Sequence, residues 1–200
     1  IRLERPVIND RFGVAAGEGA APLFAGDITK GLFGGGFLYT NDESLSLGLV
    51  VSIEDIAKEE EAGDAPALFE AFKARPEIEP LIRGGETMEY GAHVIPEGGY
   101  RALARLCGDG ILVAGDSAGF ALNLGFTVRG MEYALASGYF AAKAVIEAKK
   151  AGRFDAATLA AYPQSLEESF VLKDFQTFKD TPRVLSNPHL FGHYPELIGN

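Results

Sequence analysis

Cysteine is nearly missing from this chain: Cys107 is the single one in 200 residues. That excludes an internal disulfide framework and an iron–sulfur cluster held by this chain alone. Basic residues are also scarce, with 18 Lys and Arg against 28 Asp and Glu and a net charge of −10. A face that binds nucleic-acid phosphate must be basic, so nucleic acid is excluded as a partner. No stretch reaches the roughly 18 consecutive apolar residues of a membrane span. No Ser–His–Asp nucleophile can be argued from spacing, and neither internal repeats nor low-complexity segments occur. The opening Ile1-Arg-Leu-Glu-Arg-Pro6 has no initiator Met and no signal-peptide pattern, and the chain stops in a helical-looking segment at Leu197–Asn200. A piece of a longer protein is expected. The rest is ordinary for a globular chain, 47% hydrophobic and 23% charged, long enough for one good-sized domain or two small ones.

Leu23 to Gly36 is rich in turn residues. After it, Phe37-Leu-Tyr-Thr40 and Ser44-Leu-Ser-Leu-Gly-Leu-Val-Val-Ser-Ile53 flank a short Asn41-Asp-Glu43 loop, which predicts an antiparallel hairpin. Residues 54–83 have helical spacing at Ile56, Leu68, Phe69, Phe72 and Ile78. Gly63-Asp-Ala-Pro66 divides them into two helices, and Pro76 and Pro80 break the second near its end. Glu86 to Pro96 alternates imperfectly and is expected to be a strand. Residues 110–114 form an uninterrupted apolar run, which predicts a strand buried on both faces in a parallel sheet. Residues 131–150 form the clearest helix, stopped by Gly152. Its small face of Ala134, Gly138, Ala141, Ala142 and Val145 suits close approach to a sheet. Helix is expected again over 154–180, broken around Pro163, and short helices or turns after that. The fold class is α/β, in the mixed α+β sense.

The richest chemistry lies in Gly110-Ile-Leu-Val-Ala-Gly-Asp-Ser-Ala-Gly119 and Asn123-Leu-Gly-Phe-Thr-Val-Arg-Gly-Met131. A strand ending in Gly115-Asp116 places a carboxylate beyond the sheet edge, where open α/β sheets bind ligands. Asp116 repels phosphate but accepts hydrogen bonds from sugar or ribityl hydroxyls. Gly119, Gly125 and Gly130 let the backbone approach a flat ligand. The helix starting near Met131 turns its free N–H groups and positive dipole end toward the same place. A ring that gains negative charge on reduction, such as a flavin, suits that field. The bland alternative is a capped turn whose glycines only ease packing.

Those two stretches, with Gly34-Gly-Gly-Phe-Leu-Tyr-Thr-Asn41, Leu47-Gly-Leu-Val-Val51 and Ile95-Pro-Glu-Gly-Gly-Tyr100, resemble the FixC flavoproteins. These are relatives of the electron-transfer flavoprotein–ubiquinone oxidoreductases, within the wider geranylgeranyl-reductase-like family. The resemblance runs in order over nearly the whole chain. It implies an antiparallel substrate-side sheet with helices over residues 1–100. The final strand and helix of a Rossmann-like FAD-binding domain would follow over 101–152, and a helical C-terminal segment over 153–200. It implies FAD as cofactor, held by Gly115, Asp116, Gly119, Gly125, Thr127, Val128, Arg129, Gly130 and Met131. Asp116 would take the ribityl chain and the 125–131 backbone the ring. No catalytic acid–base residue and no metal are implied. The implied partners are an electron-transfer flavoprotein on one side and a quinone or ferredoxin-like protein on the other. The implied location is cytoplasmic, with peripheral contact at the inner membrane as a variant. A prenyl reductase is the alternative enzyme, and a non-enzymatic interaction domain the alternative of another class. The family's Gly-x-Gly-x-x-Gly, which seats the FAD pyrophosphate on a helix N-terminus, is absent here. Weak or no FAD binding by these 200 residues alone is therefore expected.

The remaining chemistry-bearing residues invite plainer readings. His189 and His193 stand four apart without a third metal ligand. His93 reads as a packing residue, with a substrate-side proton donor as the alternative. Cys107 reads as a small buried side chain. Arg129 either favours a reduced anionic flavin or makes a surface ion pair. Lys58-Glu-Glu-Glu61 reads as a solvated helix face. Phe33, Phe37, Leu38 and Phe120 read as core, with an apolar entrance for a quinone tail or a membrane surface as the alternative.

Overall fold

The computed structural model describes residues 1–58, 64–125, 127–190, 193–194 and 197. Glu59–Glu61, Gly63, Phe126, Gly192 and Pro195 lie outside the described residues. The chain is mixed α/β and divides into two compact units, residues 1–92 with 185–200, and residues 93–184.

In the first unit, α1 (Arg5–Phe12) starts with Pro6 in its first turn and ends where Gly13 adopts φ 62° and returns its N–H to Asn9. A three-stranded antiparallel sheet follows in the order β1 (Leu23–Phe24), β2 (Gly34–Thr40), β3 (Leu45–Val51). The predicted hairpin is present, in the register Thr40↔Leu45 to Gly34↔Val51. Strand β2 also takes in all three glycines of 34–36, which read as a turn in the sequence. They are there because the neighbours leave no room for a side chain. A Cβ on Gly34 would lie 2.1 Å from the Val50 carbonyl oxygen, and one on Gly36 would lie 2.5 Å from the Phe72 ring. Leu3, Ile8, Leu38 and Leu45 form a small core.

Helices α2 (Ile53–Lys58), α3 (Ala65–Lys73) and α4 (Glu79–Ile82) follow. Asp64 caps α3 by accepting from the Ala67 N–H at 2.8 Å. Leu68 and Phe72, four apart, are its buried face. Two helices were expected over 54–83 and three form, because Pro80 opens a new first turn in α4 instead of ending the old one. The strand expected over 86–96 does not form. Glu86 bridges Arg2, and residues 87–99 then run without regular structure, with 87–94 exposed. Their alternation finds no strand edge to pair with among the described residues. His93 is exposed there.

In the second unit, β4 (Cys107–Gly108) pairs antiparallel with β5 (Ile111–Leu112). This corrects the buried parallel strand expected at 110–114. Asp109-Gly110 is a two-residue hairpin signal, with Gly110 at φ 71°, and Ile111 is 57% exposed. Cys107 is half-buried. A second short hairpin joins β6 (Leu122–Asn123) to β7 (Val128–Arg129). Helix α5 (Met131–Ala151) closes as expected on Gly152, at φ 65°. Then come α6 (Ala156–Leu159), α7 (Ala161–Glu168) and α8 (Phe170–Thr177). The break expected around Pro163 comes at Ala160, between α6 and α7. Pro163 itself sits in the first turn of α7, where its missing N–H is harmless. A second break comes at Ser169, which caps α8 through the Val171 N–H.

The core of this unit gathers Phe120, Leu122, Tyr133, Tyr162, Leu166, Val171 and Phe175. The buried stripe of α5 is Tyr133, Ser137, Ala144 and Ala148, while Gly138, Ala142 and Val145 of the expected small-residue face are exposed. The outer side of α5 is nonetheless apolar, with Met131 82%, Leu135 77% and Tyr139 59% exposed. A short helix α9 (Thr181–Leu185) follows. Among the described residues no helix is long and apolar enough to cross a membrane.

Candidate functional site

After β5 the chain turns sharply through a 3-10 turn over Gly115–Ala118. Gly115 (φ 68°) and Gly119 (φ 85°) bracket it in a backbone region that only glycine enters freely. The turn is tied down from inside. The Gly115 N–H donates to Ser137 Oγ of α5 at 3.0 Å, and the Ser137 hydroxyl donates in turn to the Ala134 carbonyl. The Tyr162 hydroxyl donates to the Val113 carbonyl at 2.9 Å. Asp116, by contrast, points outward: it is exposed, and its Oδ1 accepts from the Ser117 N–H at 3.0 Å. A carboxylate carried on a rigid turn can accept hydroxyl hydrogens from a ligand.

The β6–β7 hairpin presents the second group. Leu124 N–H donates to the Thr127 carbonyl at 2.9 Å, and Gly125 turns the chain at φ 89°. Asn123 Oδ1 accepts from the Gly125 N–H at 2.8 Å, closing the loop from within. Val128 and Met131 are exposed, and Thr127 and Gly130 are half-buried.

Arg129 lies at the junction of hairpin and helix, and its charge is held locally. It reaches Glu132 at 2.6 Å and Asp174 of α8 at 2.9 Å, and its guanidinium lies 4.9 Å from the centre of the Tyr133 ring. The Glu132 hydrogen bond comes first among the influences that raise its pKa further. Burial pushes the Glu132 carboxyl up, but backbone N–H groups at the start of α5 and the Arg129 side chain hold it below its ordinary value. The positive end of α5 is thus partly answered by the helix's own carboxylate.

The Tyr133 hydroxyl donates to Asp174 at 2.9 Å. Burial, then that carboxylate, pushes its pKa far above the tyrosine range. Burial pushes Tyr162 up to about 12. Both groups are more easily ionised in the unfolded chain. Their contribution to stability is therefore complete below about pH 10 and declines as pH rises toward the folded values. An alkaline absorbance titration is expected to show a late tyrosinate step that Tyr162→Phe removes.

Sequence reasoning passed over three parts of this arrangement. Ser137 and Asp174 become visible only when α5 and α8 pack together. Glu97 is the one acid of the Ile95-Pro-Glu-Gly-Gly-Tyr100 motif. Its Oε2 accepts from Asn123 Nδ2 at 3.0 Å, and its Oε1 is buried without a hydrogen-bond partner. Leu38 and Phe120 are fully buried in the cores of their respective units. The rings of His189 and His193 pack edge to face at 5.7 Å, and no group of three or more metal-binding side chains assembles among the described residues.

No protein-family model matches the chain. It is 50% identical over 193 residues to the probable electron transfer flavoprotein-quinone oxidoreductase YdiS of Escherichia coli K12, covering 96% of this chain and 44% of that protein. It is 49% identical over 197 residues to protein FixC of the same strain, covering 98% of this chain and 45% of FixC. Protein FixC of Rhizobium meliloti is 44% identical over 202 residues, which is 99% of this chain and 45% of that protein. The chain thus spans less than half the length of these relatives.

Proposed function

This chain belongs to the FixC family by sequence, and from that we propose that the whole protein is a flavin-dependent oxidoreductase carrying electrons from an electron-transfer flavoprotein to a quinone. The observation that carries the reading is the 50% identity to YdiS along 96% of the chain. The cofactor is FAD. When bound, it supplies the electron-transfer chemistry, and the polypeptide positions it and tunes its affinity for electrons.

The residues present suit such a group. Asp116 offers an outward carboxylate to ribityl hydroxyls, on a turn whose glycines leave no Cβ in the way. Gly125 and Gly130 leave backbone free of side chains where the ring would lie. Arg129 serves by pinning the β6–β7 hairpin to α5 and α8, because its charge is already shared between Glu132 and Asp174. Electron transfer requires no proton donor from these side chains. The apolar outer side of α5 fits the same reading. Met131, Leu135 and Tyr139 give the first half of α5 a second apolar side, as on a helix covered by further protein in the whole molecule.

The test uses the full-length protein. It is expected to purify with one flavin and to pass electrons from a reduced electron-transfer flavoprotein to a quinone. Asp116→Ala is expected to weaken FAD binding by about 10-fold to 100-fold, the worth of a hydrogen bond to a charged group. Full-length protein that binds no flavin would end the proposal, and an unchanged affinity in the variant would remove Asp116 from the site.

A further inference from the structure

The three-stranded sheet is paired on one side and open on the other. On the β1 side, the Leu38 and Thr40 N–H groups donate to the Pro22 and Ala20 carbonyls, at 3.0 Å each, in line with the β1–β2 pairing. The open edge is β3. Its first residue is already engaged: the Ile1 nitrogen donates to the Leu45 carbonyl at 2.9 Å, and the Leu45 N–H donates to the Ile1 carbonyl at 2.7 Å. Backbone groups along an antiparallel strand face alternate sides, so Leu47, Leu49 and Val51 aim their N–H and C=O the same way as Leu45. Among the described residues nothing bonds them there. Edges that stay in water are blunted by charged residues, prolines or bulges. Leu45-Ser-Leu-Gly-Leu-Val-Val51 has no charge and no proline, and its register with β2 is unbroken from Leu45 to Val51.

The residues beside Leu45 show what belongs on that edge. Arg2 is bridged antiparallel to Ser44 on one side and to Glu86 on the other. Its N–H donates to the Glu86 carbonyl at 2.7 Å, and the Glu86 N–H donates back at 3.1 Å. Ile1 and Arg2 are therefore the end of a middle strand. Followed back from Ile1, that strand runs along β3 from Ser46 toward Val51 on one side. On its other side lies the segment from Thr87 to Ala92, which is exposed and without regular structure. In that segment Met88, Tyr90 and Ala92 alternate with Glu89 and Gly91, a strand pattern that lacks a partner among the described residues.

The chain covers 44% of YdiS and 45% of FixC, so such proteins carry ample chain to fill the gap. We propose that the residues directly preceding Ile1 in the full-length protein form a strand of about six residues that inserts between β3 and residues 87–92, antiparallel to both. The ladder begun at Ile1 and Arg2 then continues. Its bonds fall alternately on Leu47, Leu49 and Val51 on one side and on Met88, Tyr90 and Ala92 on the other. The sheet grows from three strands to five, and both open edges are used at once.

Residue-resolved amide hydrogen exchange of the full-length protein is the first test. Leu47, Leu49 and Val51 are expected to exchange about 100-fold or more slowly than free amides, like Ser46, Gly48 and Val50, which face β2. Fast exchange at those three alternate residues would show an open edge and overturn the proposal. The second test identifies what covers the edge. In this register Val50 stands directly opposite the fifth residue before Ile1, in a pair without hydrogen bonds, the closer kind. Val50→Cys with a cysteine at that fifth position is expected to form a disulfide within one chain on mild oxidation, and a cysteine one position away is not. A protected edge without that disulfide would assign it to another segment. A disulfide between two chains would assign it to a second copy. Either result would overturn the proposal, and neither readout depends on bound flavin.

Discussion

Phe175→Ala is expected to destabilise the 93–184 unit by about 3–5 kcal/mol, the range for deleting a fully buried aromatic ring. Phe175 is fully buried and lies edge to face against both Phe120, at 5.7 Å, and Tyr133, at 5.2 Å. Edge-to-face pairs add to the hydrophobic gain, so truncation leaves two rings without their partner. A fall in denaturant midpoint at unchanged slope is the measurement. The effect reaches the candidate site through its supports. Phe120 leads directly into β6, and Tyr133 shares Asp174 with Arg129. Flavin affinity of the full-length variant is expected to fall as well. A variant with wild-type stability would show that α8 is not the keystone of this core.

Gly34→Ala is expected to be nearly as damaging for a different reason, on the order of 3 kcal/mol in the first unit. The added methyl would lie 2.1 Å from the Val50 carbonyl oxygen and 3.1 Å from Val51 Cα. Those atoms are backbone, so no side chain can rotate away and the end of the β2–β3 ladder must open. Amide hydrogen exchange is the direct readout, with faster exchange expected at the Gly34↔Val51 end than at the Thr40↔Leu45 end. Uniform protection along the hairpin in the variant would contradict the crowding argument.

These two cases show what could be read locally and what could not. The hairpin around Asn41 was legible because alternation and a short polar loop are local signals. So was α5, with its long helical stretch and its closing Gly152. The turn at Gly115-Asp116 was legible because its glycines and acid stand next to one another in the chain. Residues 34–36 misled, since glycine in a strand and glycine in a turn have the same composition, and the Val50 and Phe72 atoms that demand glycine come from elsewhere. The apolar run at 110–114 misled in the opposite direction. It has the pattern of a buried parallel strand, but Asp109-Gly110 folds it back on Cys107–Gly108.

The sequence by itself determined the kin of this protein, its mixed α/β class, and the turn that carries Asp116, because each is written in contiguous residues. Only the tertiary structure decided that Arg129 is shared between Glu132 and Asp174, that Ser137 holds the Gly115 amide, and that Glu97 is wired to Gly125 with one oxygen left over. Those pairs are separated by 22 to 45 residues, apart from the local Arg129–Glu132 contact. Charge balance and hydrogen-bond satisfaction depend on which distant groups packing brings within about 3 Å, a quantity no local pattern encodes.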